Sequence, residues 1–245
     1  MRTVALIPVR WASTRFPGKA LTPLLGRPMI EHVYRRCLAI SGLDQAVVVT
    51  DSQEIERTVR DFGGRVIVTG AQNISDSDHL GEAAEALGLA DDDLVLAMAA
   101  DQPAFNPEHP ALLALALKEE ADLDMATLAF HLTGPELIRS PAQVKVAFNS
   151  EHRAVYFSRA PVPWPRDGEE EFYRHIGLFA YRASFLRRFV GWPEGRLERI
   201  ERLEVLRALE NGARVKVVLV NEAALEVTEP GDVKAAEEAL RLEHN

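Results

Sequence analysis

Short apolar runs alternate with amphipathic stretches along the first half of the 245-residue chain. The runs are typical of strands that are buried on both faces, and they lie at 4–8, 46–50, 66–69 and 94–98. The stretches between them place apolar residues at helical spacing, and they cover 28–42, 53–62, 78–87 and 107–120. The first helix is predicted to open at Pro28 and to end at Gly42. This alternation predicts a mostly parallel sheet flanked by helices.

The second half of the chain follows another pattern, because several apolar runs succeed one another without a helix between them. The predicted strands lie at 125–129, 144–148, 154–157, 176–181 and 215–220, and the predicted helices at 197–210 and 232–242. Strands joined without a crossover helix are antiparallel or mixed. No repeat or linker divides the chain. The sequence therefore predicts one α/β domain over residues 1–245, with a smaller antiparallel portion in its second half.

The loop after the first strand, residues 7–19, reads IPVRWASTRFPGK and carries the clearest chemical pattern. Arg10, Arg15 and Lys19 would repel one another unless an anion lay among them, and small residues such as Ser13 let backbone N–H groups approach that anion. In parallel sheets, ligands bind outside the carboxyl ends of the strands. We interpret the loop as a triphosphate site. The alternative is a solvated basic turn.

A second candidate site follows the strand at residues 94–98. Asp101 stands in the segment AADQP, where a carboxylate at the end of a buried strand is well placed to hold Mg²⁺ on substrate phosphates. The alternative is an ordinary turn-forming Asp, two residues before Pro103. Spacing alone leaves both interpretations open.

His175 is the third candidate, placed just before an apolar run and beside Arg174. Together with Arg159 these residues could line an anion-binding wall. A lone His is more often structural than catalytic. The seven His residues show no metal-ligand spacing, and the sequence contains no nucleophile motif of the Gly-x-Ser-x-Gly kind.

Composition narrows the classes of function. The formal charge of −9 argues against a nucleic-acid partner, and no apolar stretch approaches the length needed for membrane insertion. Cys37 is the single cysteine, which excludes an internal disulfide and fits a reducing cytosol. The first residues already form an apolar run, so no signal peptide is expected. The sequence predicts a cytoplasmic protein.

These motifs together resemble the 3-deoxy-manno-octulosonate (Kdo) cytidylyltransferases, or CMP-Kdo synthetases, a family with a GT-A-like nucleotidyltransferase fold. The family opens approximately as IPARxxSTRxPGKPL, and this chain has IPVRWASTRFPGKAL at residues 7–21. The match continues through GRPMI, MATL, VKV, YFSRAPVPW and RHIG, at 26–30, 125–128, 144–146, 156–164 and 174–177. It spans nearly the whole chain.

The resemblance implies that the protein joins CTP to an acidic eight-carbon sugar, gives CMP-sugar and pyrophosphate, and serves lipopolysaccharide or surface-glycan synthesis. It also implies Mg²⁺ on Asp101 and a homodimer formed partly by residues 154–181. Catalysis is expected from Arg15, Lys19 and Asp101. The implied nucleotide contacts are Arg10, Ser13, Arg15, Lys19, Ser75 and Ala99, and the implied sugar contacts are Arg159, His175 and Glu204.

The chain departs from the family pattern at ligand-facing positions. His79 stands where the family has Arg, and Ala99 replaces a nucleotide-contacting amide. Thr228 replaces a second metal-binding Asp, for which Glu226 or Asp232 could substitute. Further departures are Asp76 for a Gly, Phe179 for an aromatic hydroxyl and Val205 for a polar residue.

These departures leave three alternatives to Kdo transfer open. A diverged enzyme could activate another acid, such as an amino-substituted Kdo or a phosphonate. The chain could instead bind CTP with little or no catalysis. The third alternative, an α/β domain with a basic turn, conflicts with the breadth of the match.

Overall fold

The first half of the chain forms parallel βα units, in a computed structural model that describes residues 1–11, 16–70, 75–166 and 171–242. The elements are β1 (Thr3–Val9), β2 (Pro23–Leu24), β3 (Arg27–Pro28), α1 (Met29–Cys37), β4 (Gln45–Thr50), α2 (Gln53–Asp61), β5 (Val66–Val68), α3 (Asp76–Ala86), β6 (Leu94–Ala97) and α4 (Glu108–Glu119). The Ser52 hydroxyl accepts a hydrogen bond from the Ile55 N–H and caps α2, the role for which serine is favoured at this position.

The second half adds the antiparallel portion. Its elements are β7 (Met125–Leu132), α5 (Pro135–Arg139), β8 (Lys145–Phe148), β9 (Ala154–Ser158), β10 (Phe172–Arg182), α6 (Ala183–Val190), α7 (Arg196–Glu201), α8 (Val205–Glu210), β11 (Val215–Leu219) and α9 (Val233–Leu242). Strand β10 runs antiparallel to β6, β7 and β8, and β8 runs antiparallel to β9. The predicted α/β class with an antiparallel second half is confirmed.

The main sheet has the strand order β11-β7-β10-β6-β1-β4-β5, with β8 and β9 attached through β10. Strand β1 pairs in parallel with both β4 and β6, so that Leu6 lies opposite Ala97. Because parallel neighbours end at the same edge, the loops that follow Val9 and Ala97 emerge side by side. This register brings the basic loop after β1 close to the segment that contains Asp101.

Apolar side chains of β1 point alternately to the two faces of the sheet. Ala5, Ile7 and Val9 pack into one hydrophobic cluster with α1 and α4, while Val4 and Leu6 pack into another with α3 and α6. Helices therefore cover both faces, as a continuous apolar strand requires. Among the described residues, no helix is long and apolar enough to cross a membrane.

Two helix predictions are wrong in their limits. The helix predicted over residues 197–210 is divided into α7 and α8, because Arg202 adopts a left-handed conformation with φ 55°. Helix α1 ends at Cys37 rather than near Gly42, because the next residues form tight turns with Ala39 bonded to Arg36 and Ile40 to Cys37. Sequence periodicity also missed the short elements β2, β3, α5 and α6.

Candidate active site

A cavity of about 500 Å³ lies at the carboxyl ends of β1 and β6, where the strand register predicts a ligand site. Segments from both halves of the chain line it. The lining residues with polar or aromatic side chains are Arg10, Lys19, Asp76, Ser77, Asp101, Gln102, Phe179, Tyr181, Glu204 and Glu226, and Ala99 contributes its small side chain. The cavity therefore joins four of the expected nucleotide and metal residues: Arg10, Lys19, Ala99 and Asp101.

Lys19 and Asp101 form an ion pair inside this cavity. Lys19 Nζ donates to Asp101 Oδ2 at 2.6 Å, and the two side chains are 20% and 29% exposed. Lys19 opens a single-turn 3₁₀ helix after Gly18, whose φ of 68° suits glycine. A Cβ on Gly18 would lie 3.3 Å from the Trp11 ring, so glycine also permits this close approach. The backbone conformation at Gly18 thus places Lys19 within ion-pair distance of Asp101.

Arg10 and Asp76 form a second ion pair at the edge of the cavity, with 2.9 Å between the guanidinium and carboxylate atoms. Asp76 is the first residue of α3, where a negative charge is favoured by the helix dipole. Ser75 caps this helix by accepting from Asp78 N–H at 3.1 Å, and Asp78 Oδ2 accepts from Ser75 N–H at 2.9 Å. Ser75, an expected nucleotide contact, has this capping role among the described contacts.

Glu204 lines another part of the cavity, from the segment between α7 and α8. The Ser77 hydroxyl donates to Glu204 Oε2 at 2.8 Å. Burial raises the pKa of the Glu204 carboxyl, although the Ser77 hydroxyl and the Arg207 charge act in the opposite direction. Tyr181 lies in the same group, and burial raises the pKa of its phenol. This part of the cavity thus presents a carboxylate and hydroxyls to a ligand.

The residues that could replace the second metal-binding Asp have different surroundings. Glu226 lines the cavity, where Gln102 Nε2 donates to Glu226 Oε1 at 3.3 Å. Asp232 instead accepts from the Thr228 N–H and hydroxyl and from the Glu229 N–H, which fixes a turn before α9. The described residues contain no group of three or more His, Cys, Asp or Glu that could hold a metal ion. Asp101 and Glu226 both line the cavity, together with the carboxylates of Asp76 and Glu204.

Two His residues singled out in the sequence, His79 and His175, are not among the described residues that line the cavity. His79 is 1% exposed, and its Nδ1 lies 2.6 Å from Thr69 Oγ1. His175 packs against the Phe157 and Phe179 rings, and its Nε2 lies 2.9 Å from Thr127 Oγ1. Burial lowers the pKa of His175 to about 3, and the Arg174 charge contributes to this shift. His175 therefore supports Phe179, which itself lines the cavity.

Arg159 directs its guanidinium to backbone carbonyls. Its Nε donates to Glu201 O at 2.7 Å, and its two amino nitrogens donate to Pro141 O at 3.0 Å and Arg202 O at 3.4 Å. Neither Arg159 nor His175 appears among the described residues that line the cavity. Their expected contact with the sugar acid stays a prediction.

Two expected nucleotide contacts, Ser13 and Arg15, fall in residues 12–15, outside the described part of the chain. Their roles also stay predictions. The sequence analysis did not single out the lining residues Ser77, Gln102 and Tyr181. Glu226 comes near Asp101 because the Val227 N–H donates to Asp101 O at 2.9 Å, a long-range bond that no local sequence pattern signals.

Comparison with known proteins gives matches over almost the full chain. A model of the family described as Cytidylyltransferase matches residues 4–217. A 3-deoxy-manno-octulosonate cytidylyltransferase of Syntrophus aciditrophicus is 43% identical over 98% of this chain and 97% of its own length. An 8-amino-3,8-dideoxy-manno-octulosonate cytidylyltransferase of Shewanella sp. is 40% identical over 98% of this chain and 99% of its own length.

Solved structures agree with these matches. CMP:2-keto-3-deoxy-manno-octonic acid synthetase, in complex with CTP, is similar with a TM-score of 0.94 and 32% identity, covering 99% of this chain and 100% of that one. A 4-diphosphocytidyl-2C-methyl-D-erythritol synthase, 17% identical with a TM-score of 0.67 over 98% of both chains, shares the fold. The basic loop, the carboxylate after β6 and the full-length matches lead to one conclusion: this chain belongs to the cytidylyltransferase family and is a nucleotidyltransferase.

Proposed function

We propose that this protein transfers the cytidylyl group of CTP to an eight-carbon 3-deoxy sugar acid, either Kdo or its 8-amino form. The observation that carries the proposal is the pairing of Lys19 with Asp101 between the ends of β1 and β6. This pair places a cation for phosphate oxygens beside a carboxylate suited to a divalent metal. Relatives of both acceptor types, each about 40% identical, support the acid class.

The expected reaction is an in-line displacement at the α-phosphorus. The anomeric hydroxyl of the sugar attacks, its P–O bond forms, the bond to pyrophosphate breaks, and the hydroxyl proton is released. Arg10 and Lys19 would hold the triphosphate oxygens and stabilise the charge that develops there. Arg15 would add a third cation, as the family motif implies. The chain contributes mainly orientation and charge to such a reaction.

Mg²⁺ is the metal that we propose for this site. Asp101 and Glu226 offer carboxylate oxygens, the ligands that Mg²⁺ prefers, and one or two carboxylates suffice when substrate phosphates complete the coordination. Bound there, the ion would supply positive charge to the phosphates. Lys19 balances the charge of Asp101 in this structure, so triphosphate and metal would arrive together and redistribute that pair.

The proposal includes the cellular setting. We place the enzyme in the cytoplasm, in lipopolysaccharide or surface-glycan synthesis, as a homodimer that uses residues 154–181. Exposed apolar side chains in this region support the dimer, since Val155 is 63% and Trp164 80% exposed. Strand β9 also pairs with β8 alone among the described strands. Light scattering after size-exclusion chromatography tests the homodimer separately, because it measures the molar mass of the protein in solution.

The deciding experiment measures pyrophosphate release by the purified protein with CTP, Mg²⁺ and a panel of acids. The panel contains Kdo, 8-amino-Kdo, a nine-carbon sugar acid and a phosphonate. We expect turnover with Kdo or 8-amino-Kdo and loss of turnover without Mg²⁺. Turnover with the phosphonate alone would contradict the acceptor class.

Calorimetry with CTP tests the remaining alternative, in which the protein binds CTP with little or no catalysis. CTP binding without turnover on any acid would make the protein a nucleotide-binding protein, and the replacement of the second carboxylate by Thr228 motivates this control. UTP serves as the matched nucleotide, since it differs from CTP only in the base.

A further inference from the structure

Lys145, a residue behind the cavity, carries a positive charge in an unusual environment. Its side chain is fully buried, with 0% exposure. Its ammonium donates to three backbone carbonyls, Ser140 O at 3.0 Å, Gln143 O at 2.5 Å and Arg159 O at 2.5 Å. A lysine ammonium has three N–H donors, so all three are satisfied. A buried charge of this kind is tolerated only when its hydrogen bonds are complete.

The three carbonyls belong to two separate segments, which Lys145 ties together. Ser140 and Gln143 precede β8, while Arg159 follows β9. Burial lowers the pKa of the Lys145 ammonium, and the Glu201 carboxylate acts in the opposite direction. Glu201 accepts from the Ser158 hydroxyl at 2.6 Å and from the Arg159 N–H at 2.9 Å. The ammonium and this carboxylate thus hold the backbone around Arg159 from opposite sides.

Arg159 connects the backbone held by Lys145 to the segment that lines the cavity. Its guanidinium donates to the carbonyls of Glu201 and Arg202, at the left-handed turn that separates α7 from α8. Glu204, two residues after Arg202, lines the cavity and accepts from Ser77. The chain of contacts from Lys145 through Arg159 therefore ends at a cavity carboxylate.

A second connection runs through the backbone of β8. The carbonyl of Val144, the residue before Lys145, accepts from the His175 N–H at 2.8 Å. The His175 ring packs on Phe179, which lines the cavity as Glu204 does. The two connections therefore reach two lining residues that belong to the second half of the chain.

We infer that Lys145 is a positioning residue for the acceptor side of the cavity, defined as the part lined by Glu204 and Phe179. It fixes this part in place through Arg159 and His175 without lining the cavity itself. The inference rests on the proposed function for the identity of the acceptor. Loss of the ammonium would remove a donor from three partly buried carbonyls, of which Ser140 O keeps the Gln143 N–H at 3.1 Å, and the turn before Glu204 would lose its fixed position. The nucleotide side depends on contacts of β1 and β6 and would be unaffected.

The test compares Lys145→Gln and Lys145→Met with the wild type. We expect kcat/KM for the acceptor acid to fall about 10- to 100-fold, because small displacements of orienting groups have effects of this size. KM for CTP should stay within about twofold of the wild-type value, because uniform CTP binding is unchanged. The matched control is Lys216→Met, a partly exposed lysine on β11 that donates to Glu151 O at 3.0 Å and should leave both parameters unchanged.

Hydrogen exchange provides a readout that does not require turnover. In the Lys145 variants, backbone amides at 140–143, 158–160 and 201–204 should exchange faster, while those of β1 and β4 should not. If the wild type releases no pyrophosphate with any acid, the proposed function fails, and this exchange pattern alone decides the role of Lys145.

Three outcomes would overturn the inference. The first is a KM for CTP that rises as much as KM for the acceptor. The second is a lower Tm with kcat and both KM values unchanged, which marks a purely structural lysine. The third is failure of both Lys145 variants to fold, which would assign the residue to folding and not to the acceptor side.

Discussion

The two sides of the cavity hold their charged groups in opposite ways. On the nucleotide side, the pairs Lys19–Asp101 and Arg10–Asp76 are open to solvent, with every one of these side chains at least 20% exposed. Behind the acceptor side, the Glu198–Arg207 pair joins α7 to α8 without lining the cavity, and both side chains are only 10% exposed. Exposed pairs exchange partners readily, whereas buried pairs are strongly coupled to folding. The nucleotide side therefore has charges available for a ligand, and the acceptor side uses its charges to hold the chain.

The largest effect on stability is expected from Glu198→Gln. Burial raises the pKa of the Glu198 carboxyl, but hydrogen bonds from Arg207 and from the Gly195 N–H bring the pKa below its ordinary value. Arg207 donates to both carboxylate oxygens, at 2.8 and 2.7 Å. Breaking a buried pair of this kind costs about 3–5 kcal/mol of unfolding free energy, measurable by urea denaturation.

The exposed pair between Glu194, just before α7, and Arg199 of α7 supplies the control. Glu194→Gln should change the unfolding free energy by less than about 1 kcal/mol. Equal effects of the two substitutions would remove the distinction between buried and exposed pairs.

Asp101→Asn should have a large effect on kcat and a small effect on stability, the reverse of Glu198→Gln. We expect kcat to fall about 100- to 1,000-fold, because a preorganised charge beside the reacting phosphate is lost. The unfolding free energy should change by less than about 1 kcal/mol, because the pair with Lys19 is partly exposed. Pyrophosphate release and thermal unfolding measure the two quantities.

Asp92→Asn is the matched control, since Asp92 is exposed near the amino end of β6, at the edge opposite Asp101. It should leave kcat unchanged. A large loss of stability in Asp101→Asn would place this carboxylate with the structural charges.

A smaller effect is expected from the titration of His175. Its folded-state pKa of about 3 lies below the unfolded value of about 6.5, so the folded protein holds the neutral ring. Its contribution to stability is complete above about pH 6.5 and is lost as the pH falls toward 3. Between pH 7 and pH 5 the wild type should lose about 1–2 kcal/mol more than His175→Gln.

Urea denaturation at the two pH values gives this difference. His131→Gln, at an exposed position on the neighbouring strand, should follow the wild type. If His175→Gln also follows the wild type, the ring titrates normally and the acceptor side is less closed than its contacts indicate.

The smallest effect is expected from Asp76→Asn. In the free protein an Asp76 carboxylate oxygen lies 2.9 Å from the Arg10 guanidinium. Asp76 would therefore compete with an incoming triphosphate for this guanidinium. Removal of a competitor at an exposed pair should lower KM for CTP about two- to fivefold. Asp91→Asn, which alters another exposed ion pair far from the cavity, should not change KM. An increased KM would instead give Asp76 a direct part in binding the nucleotide or its metal.

Local patterns in the sequence predicted most of the first half, because each βα unit there buries its own apolar face. The loop from Arg10 to Lys19 and the carboxylate Asp101 could be identified since they follow apolar strands directly. The division of helix 197–210 could not be predicted. It depends on Arg202 in a left-handed conformation and on Arg159, which is 43 residues distant in sequence.

The sequence by itself determined the α/β class, the order of its strands along the chain and the two segments that meet at the cavity, the basic loop and the carboxylate after β6, since these depend on periodicity and short-range spacing. Only the tertiary structure decided that Glu226 approaches Asp101, that Arg159 and His175 stand behind the cavity, and that Lys145 is buried among carbonyls. These placements arise from antiparallel strand register and side-chain-to-backbone bonds across long separations. A one-dimensional pattern contains no record of which carbonyl a buried cation reaches.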